Sequence, residues 1–223
     1  MPPRWVTFDC FGTLVDWHSG FAAILRPLTG NKAGELLRAY HRIEPQVEVE
    51  RPFRLYKEVL IIALVRAARE TGVMLTEAQA RLLPAQWATL PVFPDVEPAL
   101  AALRAAGYKS GVLTNCDDDL FTQTQRSFRT PFDLVVTAER VRDYKPSPSH
   151  FRFFSEATGA SVVNWVHVGC SYFHDIVPAR QLGLKRIWLD RDRTPDDPTA
   201  ASVRILSAAE LPAAVARLFE VST

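Results

Sequence analysis

A carboxylate at the end of the first apolar stretch is the side chain best placed to do chemistry. Residues 4–8 read as a short strand, Asp9 follows, and Gly12 comes three residues later. A strand that ends on a carboxylate before a glycine turn presents it at the carboxyl edge of the sheet, where open parallel α/β sheets bind ligands. Asp9 could act as a nucleophile that forms a covalent ester, as a metal ligand, or as a turn-capping residue. Thr13 is expected to hold the Asp9 carboxylate or to cap the turn.

Polar side chains follow three later segments in the same way. Thr114 and Asn115 end an apolar run and offer a hydroxyl and an amide, donors suited to a substrate carboxylate. Lys145 lies in a turn before a proline, and its ammonium could keep Asp9 ionised. Asp175 follows the apolar run at 165–169 and could pair with Lys145 or orient a water molecule. Local turn or cap chemistry would explain each residue alone, but the recurrence at four places indicates one site.

Two regions of different character must position these side chains. From about residue 92, apolar strands alternate with helices, which predicts a parallel sheet covered on both faces. The strands are predicted at 108–113, 134–137, 165–169 and 186–189, and the helices at 98–106, 120–128, 148–158, 176–182 and 208–219. Residues 18–91 read as helices separated at Pro45, Pro52 and Pro84. We therefore predict an α/β core with a doubly wound parallel sheet, residues 1–16 and 92–223, and an inserted α-helical cap, residues 17–91.

Composition narrows the classes of function. The chain has 223 residues, of which 48% are apolar, enough for a full core, and a formal net charge of +1. The mixed charges offer no basic stripe for nucleic acid and no polybasic membrane patch. The three cysteines lack the spacing of a disulfide framework or a zinc site. Without a recognisable signal peptide or a membrane span, we expect a cytoplasmic monomer or homodimer that acts on a small molecule.

Four sequence segments resemble the motifs of the haloacid dehalogenase superfamily. They are FDCFGTLVDW at 8–17, LTN at 113–115, YKPSP at 144–148 and GCSYFHD at 169–175, and they occur in the family's order. The resemblance implies the predicted α/β core, with the helical insertion in the place of the family's cap. It also implies a catalytic set of Asp9 as nucleophile, supported by Thr13, Lys145 and Asp175.

Departures from the motifs separate the chemistries of this superfamily. Its phosphatases usually carry a general-acid Asp two residues after the nucleophile, where this chain has Phe11. Their usual metal ligand in the fourth motif is replaced by Cys170, a poor ligand for Mg²⁺. A halide leaving group needs neither a proton nor a metal. The resemblance therefore implies hydrolysis of a small 2-substituted carboxylic acid, above all a 2-haloacid, through an ester on Asp9. No cofactor is expected; Mg²⁺, held by Asp9 and Asp175, would be needed only by a phosphatase.

The same motifs predict which residues contact the substrate. These are Cys10, Phe11, Trp17, Arg42, Thr114, Asn115, Ser171 and His174. Arg42 takes the place of the cap arginine that 2-haloacid dehalogenases typically present to substrate and halide, although its position is shifted. Ser171 and His174 are expected to help Asp175 orient the hydrolytic water.

Three other functions stay open. The segment HVGCSYFHDIVPA at 167–179 resembles a side branch of the superfamily that includes hydrolytic ring opening of azetidine-2-carboxylate, in which the leaving group is an amine. A Mg²⁺-dependent phosphatase of a small metabolite is the second alternative. A non-catalytic protein that binds a small acid or a protein partner is the third, and retention of the nucleophile and its supporting charges argues against it.

Overall fold

Six parallel strands form the centre of the molecule. The computed structural model describes residues 2–220. The strands are β1 Trp5–Phe8, β2 Lys109–Thr114, β3 Leu134–Thr137, β4 Trp165–Gly169, β5 Lys185–Leu189 and β6 Val203–Ile205. They lie in the order β3-β2-β1-β4-β5-β6, and every neighbouring pair is parallel. The strand order reverses next to β1, which places the end of β1 at the topological switch point where such sheets bind ligands.

Helices cover the sheet and fill the segment between β1 and β2. That segment contains α1 Trp17–Thr29, α2 Ala33–Glu48, α3 Tyr56–Glu70, α4 Glu77–Ala80, α5 Leu82–Ala85 and α6 Val96–Ala105. The later helices are α7 Asp118–Gln125, α8 Ala138–Val141, α9 Ser149–Thr158, α10 Val177–Gln181 and α11 Leu211–Glu220. Short 3₁₀ turns occur at Gly30–Lys32, Trp87–Thr89, Pro198–Ala200 and Ala208–Glu210, and a π turn at Tyr172–Ile176.

The predicted fold class is confirmed. The predicted bounds of strands and helices shift by up to three residues, and the following features differ further. Strand β6 was not predicted, because a three-residue strand is too short to show a pattern. Asp175 lies in the π turn at Tyr172–Ile176, ahead of the helix predicted at 176–182. The predicted helix break at Pro45 is wrong, because α2 continues through it to Glu48. The buried face of α2 outweighs the loss of one backbone hydrogen bond at the proline.

One hydrophobic cluster joins the sheet to the inserted helices. It contains Phe8 and Val112 from the sheet as well as Leu37 and Leu60 from α2 and α3. The exact division into core (1–16, 92–223) and cap (17–91) stays a prediction, and residues 1 and 221–223 of it lie outside the described part.

Within residues 2–220, no helix is both long enough and apolar enough to cross a membrane.

Candidate active site

Asp9 lies directly after β1 and is held by two side chains. The Thr13 hydroxyl donates to Asp9 Oδ2 at 2.7 Å, and Lys145 Nζ donates to Asp9 Oδ1 at 2.9 Å. The turn at 9–15 is closed by backbone bonds from Leu14 and Val15 to the Cys10 carbonyl. Both carboxylate oxygens therefore have fixed partners, so the orientation of Asp9 is set before any ligand arrives.

Lys145 is buried between two carboxylates. Its side chain is 1% exposed, and Nζ also donates to Asp175 Oδ1 at 2.6 Å. Burial alone would lower the pKa of Lys145, but the charges of Asp175 and Asp9 raise it above its ordinary value. Lys145 is therefore a permanent cation at this site. Burial raises the pKa of Asp9, and Lys145 opposes that shift.

Asp175 is the second partner of Lys145, and the loop after β4 brings it there. Burial would raise the pKa of Asp175, but Lys145 and the nearby His167 hold it well below its usual range. The Ser171 backbone N–H donates to Asp175 Oδ2 at 3.2 Å. A Cβ on Gly169 would lie 2.3 Å from the Asp175 Cβ, so only glycine permits this close approach. Asp175 stays ionised and secures the position of Lys145.

The Cys170 thiol completes a group of three potential metal ligands. One ligand atom each from Asp9, Cys170 and Asp175 lies within 4.8 Å of the others. The Lys145 ammonium already bonds to both carboxylates, and a thiol is a poor ligand for Mg²⁺. These residues therefore do not fit the magnesium site that a phosphatase of this superfamily would need.

A cavity of about 730 Å³ opens above Asp9, between the sheet edge and the inserted helices. Its walls contain Phe11, Trp17, Thr114, Asn115, Ser171 and His174, all of them predicted from the sequence. The structure thus brings these six predicted residues together with Asp9, Lys145 and Asp175.

Asn115 and Thr114 line the cavity, but their polar groups already have protein partners. Asn115 Nδ2 donates to the Glu48 carboxylate at 3.2 Å and to the Lys145 carbonyl at 3.1 Å. The Thr114 hydroxyl is buried and directed to Cys116 Sγ, 3.6 Å away. The expected capture of a substrate carboxylate by these two groups would require them to exchange partners.

His174 is a neutral imidazole on the cavity wall. Burial lowers its pKa to about 4. Its Nδ1 lies 3.1 Å from the Ser171 hydroxyl, and its Nε2 has no hydrogen-bond partner among the described residues. A neutral imidazole with a free nitrogen can accept a proton from water.

Two predicted substrate contacts lie elsewhere. Arg42 forms an ion pair with Glu70, its side chain is 55% exposed, and it does not line the cavity. Its position on α2 is roughly 200° around the helix from Tyr40 and Glu44, which do line the cavity. Cys10 is fully buried among the apolar side chains of the hydrophobic cluster and does not line the cavity. The structure thus does not bring these two residues to the cavity with the other predicted contacts.

Sequence reasoning missed the side chains that α2 sends into the cavity. Tyr40, Glu44 and Glu48 recur every four residues and line it, and His41 lies beside them. The available signal was two glutamates on a helix face that also carries Leu36, Leu37 and Val47. The predicted break at Pro45 concealed this spacing.

Comparison with known proteins places the chain among hydrolases. A family model described as haloacid dehalogenase-like hydrolase matches residues 3–183. Haloacetate dehalogenase H-2 from Moraxella sp. (strain B) is 25% identical over 83% of this chain and 85% of its own length. Phosphoserine phosphatase from Thermus thermophilus is 32% identical, over 50% of this chain and 45% of its own length. A solved L-2-haloacid dehalogenase superposes with a TM-score of 0.88 at 23% identity, covering 97% of this chain and 100% of the other.

Proposed function

The chain belongs to the haloacid dehalogenase-like hydrolases, and from that premise we propose that it hydrolyses a small 2-substituted carboxylic acid, with 2-haloacids as the preferred class. The observation that carries this proposal is Asp9, fixed by Thr13 and Lys145 below the cavity, with Phe11 where a general acid would otherwise stand. The two 2-haloacid-type relatives reported above support the same substrate class.

The first step is displacement at carbon. An Asp9 carboxylate oxygen attacks C2 of the substrate, a C–O bond forms, and the C–halogen bond breaks. The halide leaves with the bonding electron pair, so no proton is needed. The step therefore does not require a general acid at the position of Phe11. Lys145 and Thr13 keep Asp9 oriented for this attack, which is how positioning lowers the barrier.

The second step is hydrolysis of the aspartyl ester. Water attacks the ester carbonyl of Asp9, and the 2-hydroxy acid leaves with the oxygen that came from Asp9. We assign the proton of this water to His174, because its imidazole is neutral and its Nε2 forms no hydrogen bond within residues 2–220. His174 then gives this proton to the departing alkoxide oxygen of the 2-hydroxy acid, and the Asp9 carboxyl group releases its own proton to solvent. Asp175 has no exposed side-chain surface and bonds to Lys145, so we assign it to positioning Lys145.

The phosphatase alternative is less well supported. A phosphate monoester needs charge neutralisation and a protonated leaving group. Phe11 supplies no proton, and Asp9, Cys170 and Asp175 around the Lys145 ammonium do not fit Mg²⁺.

A cytoplasmic location, a monomeric or homodimeric state and independence from cofactors stay predictions from the sequence.

An oxygen-labelling experiment tests the covalent step. The enzyme, in excess over 2-chloropropionate and with EDTA present, is allowed one turnover in H₂¹⁸O, with both enantiomers and with bromoacetate as further substrates. We expect halide release, unlabelled 2-hydroxy acid, and one ¹⁸O on the peptide that contains Asp9. The Asp9→Asn protein should fold but release no halide.

Label that enters the product and not Asp9 would mean that water attacks carbon directly, and it would overturn the ester mechanism. Halide release by Asp9→Asn at a rate near that of the natural protein would do the same. If no haloacid releases halide and phosphorylated metabolites release phosphate only with Mg²⁺, the phosphatase alternative would replace the proposed function.

A further inference from the structure

The cavity above Asp9 is strongly acidic for a site that takes an anion. Eight acidic side chains line it, against two basic ones, Lys145 and Arg191, besides three histidines. Both cations are already paired: Lys145 with Asp9 and Asp175, and Arg191 with Asp95 at 3.0 Å. A ligand that carries only a carboxylate would therefore meet a surplus of negative groups.

Two of these acids, Glu44 and Glu48, come from the helical side, and within residues 2–220 neither forms an ion pair with a lysine or an arginine. Glu44 Oε1 accepts a hydrogen bond from the Tyr56 hydroxyl at 2.7 Å. The buried Glu48 carboxylate accepts from the Asn115 amide, and His174 Nε2 is 3.7 Å away. His174 is neutral, so it does not compensate Glu48. Burial raises the pKa of Glu44 to about 7 and that of Glu48 well above its ordinary value.

A third group on the same helix face is also unsatisfied. Tyr40 lines the cavity and is 2% exposed, and its hydroxyl forms no hydrogen bond of normal geometry within residues 2–220. Burial raises the pKa of Tyr40, although the Tyr56 side chain is close enough to lower it. A buried polar group without a partner destabilises the protein, and a bound ligand that supplies the partner can relieve that cost.

Aromatic rings surround these three groups. Tyr56 and Trp87 lie 5.9 Å apart between ring centroids, Phe21 and Tyr40 5.8 Å, and Trp17 and Tyr40 6.2 Å, and all five rings line the cavity. Ring faces attract ammonium groups, and carboxylates supply the counter-charge. This combination matches an organic cation better than a halide or a second carboxylate.

We propose that Tyr40, Glu44 and Glu48 form a subsite for a protonated amine, so that the natural substrate is a 2-substituted acid that also carries an ammonium group. This inference rests on the proposed function, in which the substrate carboxylate and C2 lie over Asp9. The amine neutralises the buried glutamates, donates to the Tyr40 hydroxyl oxygen, and is shielded from water by the aromatic rings. Arg42, which would attract an anion here, is directed away from the cavity.

Binding of unreactive matched acids tests the subsite without any turnover. Isothermal titration compares alanine with propionate, 3-aminopropionate with propionate, and 4-aminobutyrate with butyrate, pairs that differ in the ammonium group. We expect at least one amino acid to bind about tenfold or more tightly than its partner, equivalent to roughly 1.4 kcal/mol. Glu48→Gln, which keeps an oxygen acceptor for Asn115, should abolish that preference, and Glu44→Gln should weaken it.

The matched control is Glu50→Gln, two residues beyond Glu48. Glu50 pairs with Arg54 and Arg66 and does not line the cavity, so its variant should keep the full preference. Equal binding within every pair by the natural protein would overturn the subsite. A preference that survives in both Glu48→Gln and Glu44→Gln would overturn it as well.

This result is separable from that of the labelling experiment. Asp9-dependent halide release without any ammonium preference would retain the proposed function and remove the subsite. An ammonium preference lost in Glu48→Gln, with no halide release from any haloacid, would retain the subsite and remove dehalogenation.

Discussion

At the scale of single residues, the site depends on how one carboxylate is kept charged and aimed. Asp9 shares the cation Lys145 with Asp175; burial raises the pKa of Asp9, and Lys145 opposes that shift. The second oxygen of Asp9 accepts from the Thr13 hydroxyl at 2.7 Å and from the Cys170 thiol at the longer distance of 3.9 Å. Thr13 also accepts a hydrogen bond from the Cys170 backbone N–H at 2.9 Å, so one hydroxyl connects the turn after β1 to the turn after β4.

Replacing Thr13 by valine should therefore slow the reaction without unfolding the protein. A hydrogen bond to a charged group contributes about 1.5–3 kcal/mol, which corresponds to a loss in kcat of roughly 10- to 100-fold. Thr13→Ser keeps the hydroxyl and should stay within about threefold of the natural protein. The rates are measured as halide release at saturating substrate. Equal losses in the two variants would assign the effect to packing of the threonine methyl group.

At the scale of secondary structure, a residue of the sheet edge caps a helix of the inserted segment. Asp117 directly precedes α7, yet its side chain forms no cap bond to that helix. Its carboxylate accepts from the backbone N–H groups of Tyr56 at 2.7 Å and Lys57 at 2.9 Å, the first residues of α3. Asp117 is fully buried, so without its carboxylate these N–H groups lose their hydrogen-bond partner inside the protein.

Asp117→Ala should lower the free energy of unfolding by about 1–3 kcal/mol, because it leaves buried N–H groups at the start of α3 unsatisfied. The control is Asp119→Ala, which removes an exposed partner of Lys57 and should cost less than about 1 kcal/mol. Urea unfolding followed by circular dichroism measures both. Equal losses of unfolding free energy in the two variants would show that Asp117 contributes no more to stability than an exposed ion pair.

At the scale of the whole molecule, the sheet and the inserted helices share one apolar interior. The cluster that contains Phe8 and Val112 from the sheet also contains Leu37 and Leu60 from the inserted helices. Further contacts tie the two parts together: the Tyr144 hydroxyl donates to the Arg54 carbonyl at 2.8 Å, and Phe53 stacks on Tyr144 at 5.2 Å. Exposing this interior in one part would expose it in the other.

We therefore expect thermal unfolding to occur in one cooperative transition. Differential scanning calorimetry should give a single heat-absorption peak, with the calorimetric enthalpy equal to the van't Hoff enthalpy. Intrinsic fluorescence and far-ultraviolet circular dichroism should report the same midpoint. Two resolved peaks would indicate that the helices between β1 and β2 unfold as an independent unit.

The sequence alone determined the parallel α/β fold and the placement of Asp9, Thr13, Lys145 and Asp175 at one sheet edge. These features follow from local rules, since apolar strands alternate with helices and the carboxyl ends of parallel strands meet at the same edge. In the structure Thr13 bonds to Asp9, Asp9 bonds to Lys145, and Lys145 bonds to Asp175. Their chemical roles stay predictions that the experiments above test.

Only the tertiary structure decided what faces Asp9 across the cavity. Arg42 points outward, while Tyr40, Glu44 and Glu48 point inward, because the rotation of α2 is set by packing of its buried face against distant residues. Local helix propensity also predicted a helix end at Pro45, but α2 continues to Glu48 because its buried face packs against the rest of the protein. Contacts between segments far apart in the chain, such as Asn115 with Glu48, leave no periodic signal in the sequence, so the charge of the pocket emerges only from the folded molecule.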